Sequence, residues 1–137
     1  MQVIPYFYCN GNAKELIEHY KSAFSADKVE IMRYGDLPEY AENDEQKDQI
    51  MHAEIVINGG IFYVSDIMLG YSVEAGNAID VNINFDSLEQ LEEAYNILKK
   101  GGQVVNELAD TFWNARYGQI KDKFGNGWGL NYQYPEK

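Results

Sequence analysis

A single cysteine, Cys9, stands among 137 residues. It cannot close an internal disulfide, which fits a reducing compartment. Positive charge is scarce as well: Lys and Arg number 11 against 22 Asp and Glu, for a formal net charge of −11. A nucleic acid or an anionic membrane would repel such a chain, and no Lys/Arg cluster compensates. A small-molecule or protein partner is expected instead, although acidity also serves plain solubility. No apolar run approaches the roughly 20 residues of a membrane span. The N-terminus lacks the basic region and long apolar stretch of a secretion signal. The expectation is a cytoplasmic protein with no nucleic-acid or membrane partner. A phosphate-binding glycine motif is missing too: Gly125, Gly127 and Gly129 alternate inside a hairpin, not at a helix start. No spacing pairs Cys9 with His19 or His52 as a nucleophile and base, so Cys9 reads as a buried, inert thiol.

What the chain does have is apolar and aromatic residue, 45% and 14% respectively, ample for a packed interior. Its length suits one domain, 1–137, or two small interlocked modules sharing a core. Val3 to Cys9 has the makeup of a strand, broken by Asn10-Gly11-Asn12. Asn12 is placed to cap a helix, with Glu15 completing a near capping box. Leu16, Ile17, Tyr20, Ala23 and Phe24 then recur at helical spacing and mark its buried face. Lys28 to Tyr34 reads as a strand. Gly35 to Asp48, polar and acidic around Pro38, reads as a solvated loop or as a flap over a cavity. Ile50 to Ile57 and Ile61 to Ser65 form a hairpin around Asn58-Gly59-Gly60, and a second loop runs through Leu69, Gly70, Ala75 and Gly76.

From Ala78 the pattern starts again. Ala78 to Phe85 is a strand; Ser87, with Gln90 in the capping-box position, opens a helix whose buried side is Leu88, Leu91, Ala94, Tyr95 and Leu98; Gly101-Gly102 stops it. Gln103 to Glu107 is a strand and Ala109 to Asn114 a connection. Arg116 to Asp122 and Gly127 to Tyr134 pair as the last hairpin, with Asn126-Gly127 as a type I′ turn signal. Leu16-x-x-x-Tyr20 and Leu91-x-x-x-Tyr95 lie 75 residues apart, as do Val29 and Val104. The same helix and following strand thus occur twice, and the fold class is α+β built of two βαβββ modules, about 1–67 and 77–137. Either module alone leaves sheet edges unpaired and a face unburied, so the two should associate.

Strand alternation sorts the faces. If Val81, Ile83 and Phe85 pack under a helix, then Asp80, Asn82 and Asn84 face the other way. If Met51, Ala53, Ile55 and Ile57 pack, then His52, Glu54 and Val56 lie opposite. In the last strand Gly129, Asn131 and Gln133 oppose Trp128, Leu130, Tyr132 and Tyr134. The 75-residue offset from Asp80 puts Pro5, Phe7 and Cys9 on the same inner side. The candidate ligand-contacting surface is therefore His52, Glu54, Asp80, Asn82, Asn84, Asn131 and Gln133 with Phe7; polar groups there seek water, a ligand or one another. Trp113 and Arg116 read either as an aromatic–guanidinium clamp for a planar or anionic ligand, or as an Arg paired with a carboxylate such as Asp122 and a Trp sealing a core or dimer contact.

Three stretches, P-Y-F-Y-C-N-G-N-A at the start, M-H-A-E-I-V-I-N-G-G in the middle and R-Y-G-Q-I-K-D-K-F-G-N-G-W after T-F-W at the end, resemble the PhnB-like branch of the glyoxalase/bleomycin-resistance/extradiol-dioxygenase superfamily, the vicinal oxygen chelate proteins. The resemblance spans nearly the whole chain. It implies a curved, half-open barrel sheet with helices on the convex face and a ligand in the concave cup, and a homodimer. It also implies a ligand position on each of four strands for a divalent metal, which fall here on Pro5, Glu54, Asp80 and Asn131. Pro5 has no donor and Asn131 is a weak neutral ligand. No cofactor or metal is therefore expected, with Glu54, Asp80 and His52 as the candidates if a metal binds. The function expected is binding of a small organic ligand. The alternative is a metal-dependent lyase, isomerase or dioxygenase of the vicinal oxygen chelate type, with Glu54 as ligand or base. Some members of the branch carry a methyltransferase name, but no nucleotide-type cofactor motif here supports that activity.

Overall fold

Two buried aspartates, Asp66 and Asp122, stand at or directly after the ends of strands. The protein is described by a computed structural model covering residues 1–37, 39, 43–67 and 71–136. Of the loop expected as coil or flap, Pro38, Tyr40, Ala41 and Glu42 lie outside the described residues, as do Leu69 and Gly70 of the next one. The chain divides into two units, Met1–Glu74 and Ala75–Lys137.

The first unit runs β1 (Tyr6–Cys9), α1 (Ala13–Phe24), β2 (Lys28–Arg33), a 3-10 turn (Tyr34–Asp36), α2 (Asp44–Lys47), β3 (Ile50–Ile57) and β4 (Gly60–Asp66). Its sheet has the order β1-β4-β3-β2, with β1 parallel to β4 and the other pairs antiparallel. The second runs β5 (Asp80–Asn84), α3 (Leu88–Leu98), β6 (Gln103–Asp110), β7 (Ala115–Lys121) and β8 (Gly127–Gln133). Its order, β5-β8-β7-β6 with β5 parallel to β8, repeats the first. Each is a βαβββ module, as the 75-residue repeat predicts. Among the described residues no helix is long and apolar enough to cross a membrane.

The cores follow from the helix periodicity. Leu16, Ile17, Tyr20 and Ala23 of α1 are buried as expected. Tyr20 and Phe24 meet Phe7 and Phe62 of the sheet in edge-to-face contacts at centroid distances of 5.3 to 6.4 Å, the geometry that aromatic quadrupoles favour. In the second unit Leu91, Ala94 and Leu98 of α3 are buried, as are Ile120, Trp128 and Leu130 of the sheet it packs on.

Three local expectations are corrected. Asn12 occupies the N-cap position of α1, but its side chain caps nothing. The first free helix amide, Ala13 N–H, donates instead to Asp66 Oδ1 at 2.9 Å, and Ile50 N–H donates to Asp66 Oδ2 at 2.9 Å. A carboxylate 53 residues downstream outcompetes the adjacent amide because a charged acceptor makes the stronger bond and sits favourably at a helix N-terminus. By contrast Ser87 Oγ does accept from Gln90 N–H, at 3.1 Å, as its spacing predicts. The last hairpin forms, but not through a two-residue turn with Asn126 at positive φ. Gly125 takes that conformation, at φ 87°. The loop closes on Asp122, whose Oδ1 accepts from Phe124 N–H at 2.9 Å and Asn126 N–H at 3.0 Å while Oδ2 accepts from the buried Trp128 Nε1–H at 2.8 Å.

The third correction concerns Phe7. Expected on the inner face, it is 7% exposed and packs on Tyr20 under α1, while Tyr6 and Tyr8 take the opposite face at 39% and 52%. Counting by 75 carries residue numbers across but not chain direction. Gly11 turns the chain into α1 with φ 88°, whereas Asp86, its counterpart before α3, has no positive φ; strand parity in β1 is inverted relative to β5.

Replacing Asp122 with Ala strands three N–H groups around a buried corner and is expected to cost about 3 kcal/mol. A urea titration followed by tryptophan fluorescence measures this; a loss below about 1 kcal/mol would show that the carboxylate does not hold the hairpin.

Candidate functional site

The face of the first sheet that is turned away from α1 is aromatic and acidic. Tyr6, Glu54 and Glu30 line up across it through the pairings Tyr6↔Tyr63, Tyr63↔Glu54 and Glu54↔Glu30. Tyr6 and Tyr8, two apart on one strand, stack with centroids 4.6 Å apart and planes at 4°. Tyr63 stands edge-on to Tyr6 and to His52, at 5.6 and 4.8 Å. The Tyr6 hydroxyl lies 3.1 Å from His52 Nδ1, and His52 Nε2 lies 3.8 Å from Glu54 Oε1. His52 and Glu54 thus share a face, as alternation predicts, and both are about one-third exposed. Lys28 on β2 is tied to Glu30 at 2.7 Å, which raises the lysine pKa first through that hydrogen bond and then through the carboxylate charge.

At the end of this face β1, β3 and β4 open into a pocket of ≈ 520 Å³. Its walls include Tyr8, Tyr34, Met51, Ser65, Asp66 and Tyr71. Tyr34 is nearly buried, and its phenol pKa is raised, first by burial and then by the negative charge of Asp66. The strands position these groups directly: Tyr8 and Ser65 are register partners, and Asp66 is the last residue of β4. Sequence reasoning passed over Tyr8, Tyr34, Asp66 and Tyr71. The available signal was Tyr6-x-Tyr8, two aromatic residues of equal parity in a strand whose other side is also apolar.

In the second unit the polar residues satisfy one another. Gln119 Nε2–H donates to Asp80 Oδ2 at 3.2 Å, while Gln119 Oε1 accepts from the Asn106 side-chain amide. Asn84 Oδ1 accepts from Asn82 at 3.0 Å and from Asn131 at 3.2 Å. Asp80 and Asn82 can lie across β8 because Gly127 and Gly129 stand beneath them; a Cβ at Gly129 would come within 2.9 Å of Asn82 Oδ1, and one at Gly127 would collide with Asp80. Trp113 and Arg116 do not come together. Trp113, 47% exposed, meets the rings of Phe112 at 4.9 Å and Tyr117 at 6.1 Å. Arg116, next to Tyr117 in the strand and so on its other face, lines a crevice with Glu92, Tyr95 and Glu107 and reaches Asp110 at 3.4 Å. Its carboxylate is Asp110, not Asp122, which the hairpin turn already uses. Gln133 is likewise engaged, donating to the Asn114 carbonyl at 2.9 Å.

Of the four strand positions that the resemblance assigns to a metal, Pro5 offers no donor side chain, Asp80 Oδ2 accepts from Gln119, and the Asn131 amide N–H donates to Asn84 Oδ1. Among the described residues no three His, Cys, Asp or Glu side chains gather as a metal-holding group.

Comparison with known proteins bears on this geometry. A family model described as 3-demethylubiquinone-9 3-methyltransferase matches residues 1–131. The crystal structure of protein PA1353 from Pseudomonas aeruginosa is 33% identical, with 97% of this chain and 98% of that one covered and a TM-score of 0.84. A putative 3-demethylubiquinone-9 3-methyltransferase, PhnB protein, from Bacillus cereus shares the fold at 21% identity, covering 96% and 99% of the two chains with a TM-score of 0.77. Protein YjdN of Escherichia coli K12 is 24% identical over 144 residues, 96% of this chain and 95% of that protein.

One titration follows from the second unit. The Tyr134 hydroxyl donates to Asp110 Oδ1 at 2.6 Å, and this bond, ahead of Arg116, holds the Asp110 carboxyl below its ordinary value. A depressed carboxyl stabilises the fold above its unfolded pKa, and that contribution disappears as pH falls through the folded one. In Tyr134→Phe the Asp110 pKa should rise toward the usual carboxylate range, as read by carboxyl-carbon NMR; an unchanged value would assign the shift to Arg116 alone.

Proposed function

This chain belongs to the 3-demethylubiquinone-9 3-methyltransferase family, the PhnB-like branch of the glyoxalase/bleomycin-resistance/extradiol-dioxygenase superfamily, and on that footing we propose that it is a cytoplasmic, homodimeric protein that binds a small organic ligand. The observation that carries this reading is the first unit's pocket of ≈ 520 Å³. That volume lies within the range of small-molecule sites, and mostly apolar walls with a few polar groups are their usual composition. Ligand contact is assigned to Tyr8, Tyr34 and Tyr71, with Ser65 as hydrogen-bonding group and His52 and Glu54 beyond Tyr6 and Tyr8 on the same face. Asp80, Asn82 and Asn131 are assigned to the internal hydrogen bonds of their own sheet, and Arg116 to its pair with Asp110.

The single cysteine, Cys9, is buried and forms no disulfide, which supports a reducing compartment. The edge strand β6 supports self-association: Val104 and Val105 are exposed on it, and Phe112 and Trp113 follow at 97% and 47% exposure. An open edge beside exposed aromatic residues favours a protein contact.

A thermal-shift screen of small organic compounds tests the reading. A ligand at about 100 times its Kd adds about 2.7 kcal/mol of stability, which is several degrees of Tm. Tyr71→Ala, at a 73% exposed position, should leave the unliganded Tm within about a degree and abolish most of the shift. A diverse screen without a stabilising compound, or full stabilisation of Tyr71→Ala, contradicts the proposal.

A further inference from the structure

The binding reading above leaves open the chemistry of the ligand, and the pocket walls speak to it. We infer that the pocket takes an organic cation, an amine or quaternary ammonium group whose head lies against the rings of Tyr8, Tyr34 and Tyr71. This inference rests on the first unit's pocket being the ligand site.

Three tyrosines, one methionine and one carboxylate bound the same space. Aromatic faces are negative and attract a cationic head within about 6 Å of the ring centre. The thioether of Met51 adds a soft, polarisable contact. Asp66 is the only charged residue among the described lining residues, and it is negative. Its two oxygens accept from the backbone amides of Ala13 and Ile50. Those donors stabilise the carboxylate without cancelling its charge, although the N-terminus of α1 offsets part of it. The field still reaches the wall: Asp66 contributes to the raised pKa of Tyr34.

The same walls disfavour anions. No Lys or Arg is among the described lining residues, so an incoming carboxylate or phosphate would meet ring faces and Asp66 with only hydroxyls to receive it. The one lysine on the adjoining face, Lys28, is committed to Glu30. Beyond Tyr8, the stack continues through Tyr6 toward Glu54, which extends the aromatic and acidic character away from the pocket. A net charge of −11 draws cations from a distance. A neutral ligand would gain from the apolar wall but would use neither the ring quadrupoles nor the carboxylate.

Three probes with the same branched head separate these cases: acetylcholine, its carbon isostere 3,3-dimethylbutyl acetate, and the shorter anion 3,3-dimethylbutanoate. Each is titrated into the intact protein and followed by tyrosine and methionine-methyl NMR. Acetylcholine should bind about tenfold more tightly than the isostere, about 1.4 kcal/mol, and the anion should not bind. In Tyr8→Leu and Tyr71→Leu, exposed positions where an apolar side chain is kept and the ring is lost, that preference should fall to about twofold. Equal affinity for cation and isostere overturns the inference while leaving the binding proposal standing. Tighter binding of the anion, or no binding of any of the three, overturns it as well. Failure of the broader screen, by contrast, removes the binding proposal itself.

Discussion

A buried carboxylate must be surrounded by donors, because an unpaired charge out of water costs several kcal/mol. Each unit of this protein contains such a group, and the local architecture is arranged to satisfy it. Asp66 ends β4 and is met by the first amide of α1 and the first amide of β3, so helix, central strand and neighbouring strand converge on one side chain. Asp122 directly follows β7 and is met by two amides of the turn and by the indole of Trp128, so hairpin and core are joined at one point. Where the strands converge on Asp66 the pocket opens; where they converge on Asp122 the corner is filled by a tryptophan with 0% exposure. The same device therefore yields a cavity in one unit and a sealed corner in the other.

The two repeats differ in how the polar groups of their sheets are engaged. The face of the first sheet turned away from α1 presents rings, a histidine and carboxylates with few hydrogen bonds between them among the described residues. In the second sheet Asp80, Asn82, Asn84, Gln119 and Asn131 bond one another, and glycines in β8 give the longer side chains room to lie flat. Polar groups already paired have little to gain from a ligand.

Much of this was legible from residue order. The helices announced themselves through Leu16, Ile17 and Tyr20 and through Leu91, Ala94 and Leu98, and the Ser87–Gln90 cap is a purely local signal that tertiary contacts leave alone. The two βαβββ units followed from a repeat of helix and strand together. What escaped was long-range or conformational. Asn12 has the spacing of a cap, but the competitor is an aspartate 53 residues beyond Ala13. Asn126-Gly127 looked like the turn, but the carboxylate of Asp122 drew the loop around itself and moved the positive φ to Gly125. Phe7 was put on the wrong face because residue counting is blind to the turn at Gly11. In the candidate site, alternation brings His52 and Glu54 to one face, whereas Tyr34 and Tyr71 come from outside the strands, where no periodicity applies; Trp113 precedes β7, and Arg116 within β7 pairs with Asp110.

The central claim is that ligand recognition belongs to the first unit, at the mouth that Asp66 organises. An amide chemical-shift map, recorded with a saturating small organic ligand, tests it most directly. The account requires the largest changes at Tyr8, Tyr34, Ser65, Asp66 and Tyr71, with β5 and β8 nearly still. Changes concentrated at Asp80 to Asn84 and Asn131, with the first unit's pocket unmoved, would contradict it.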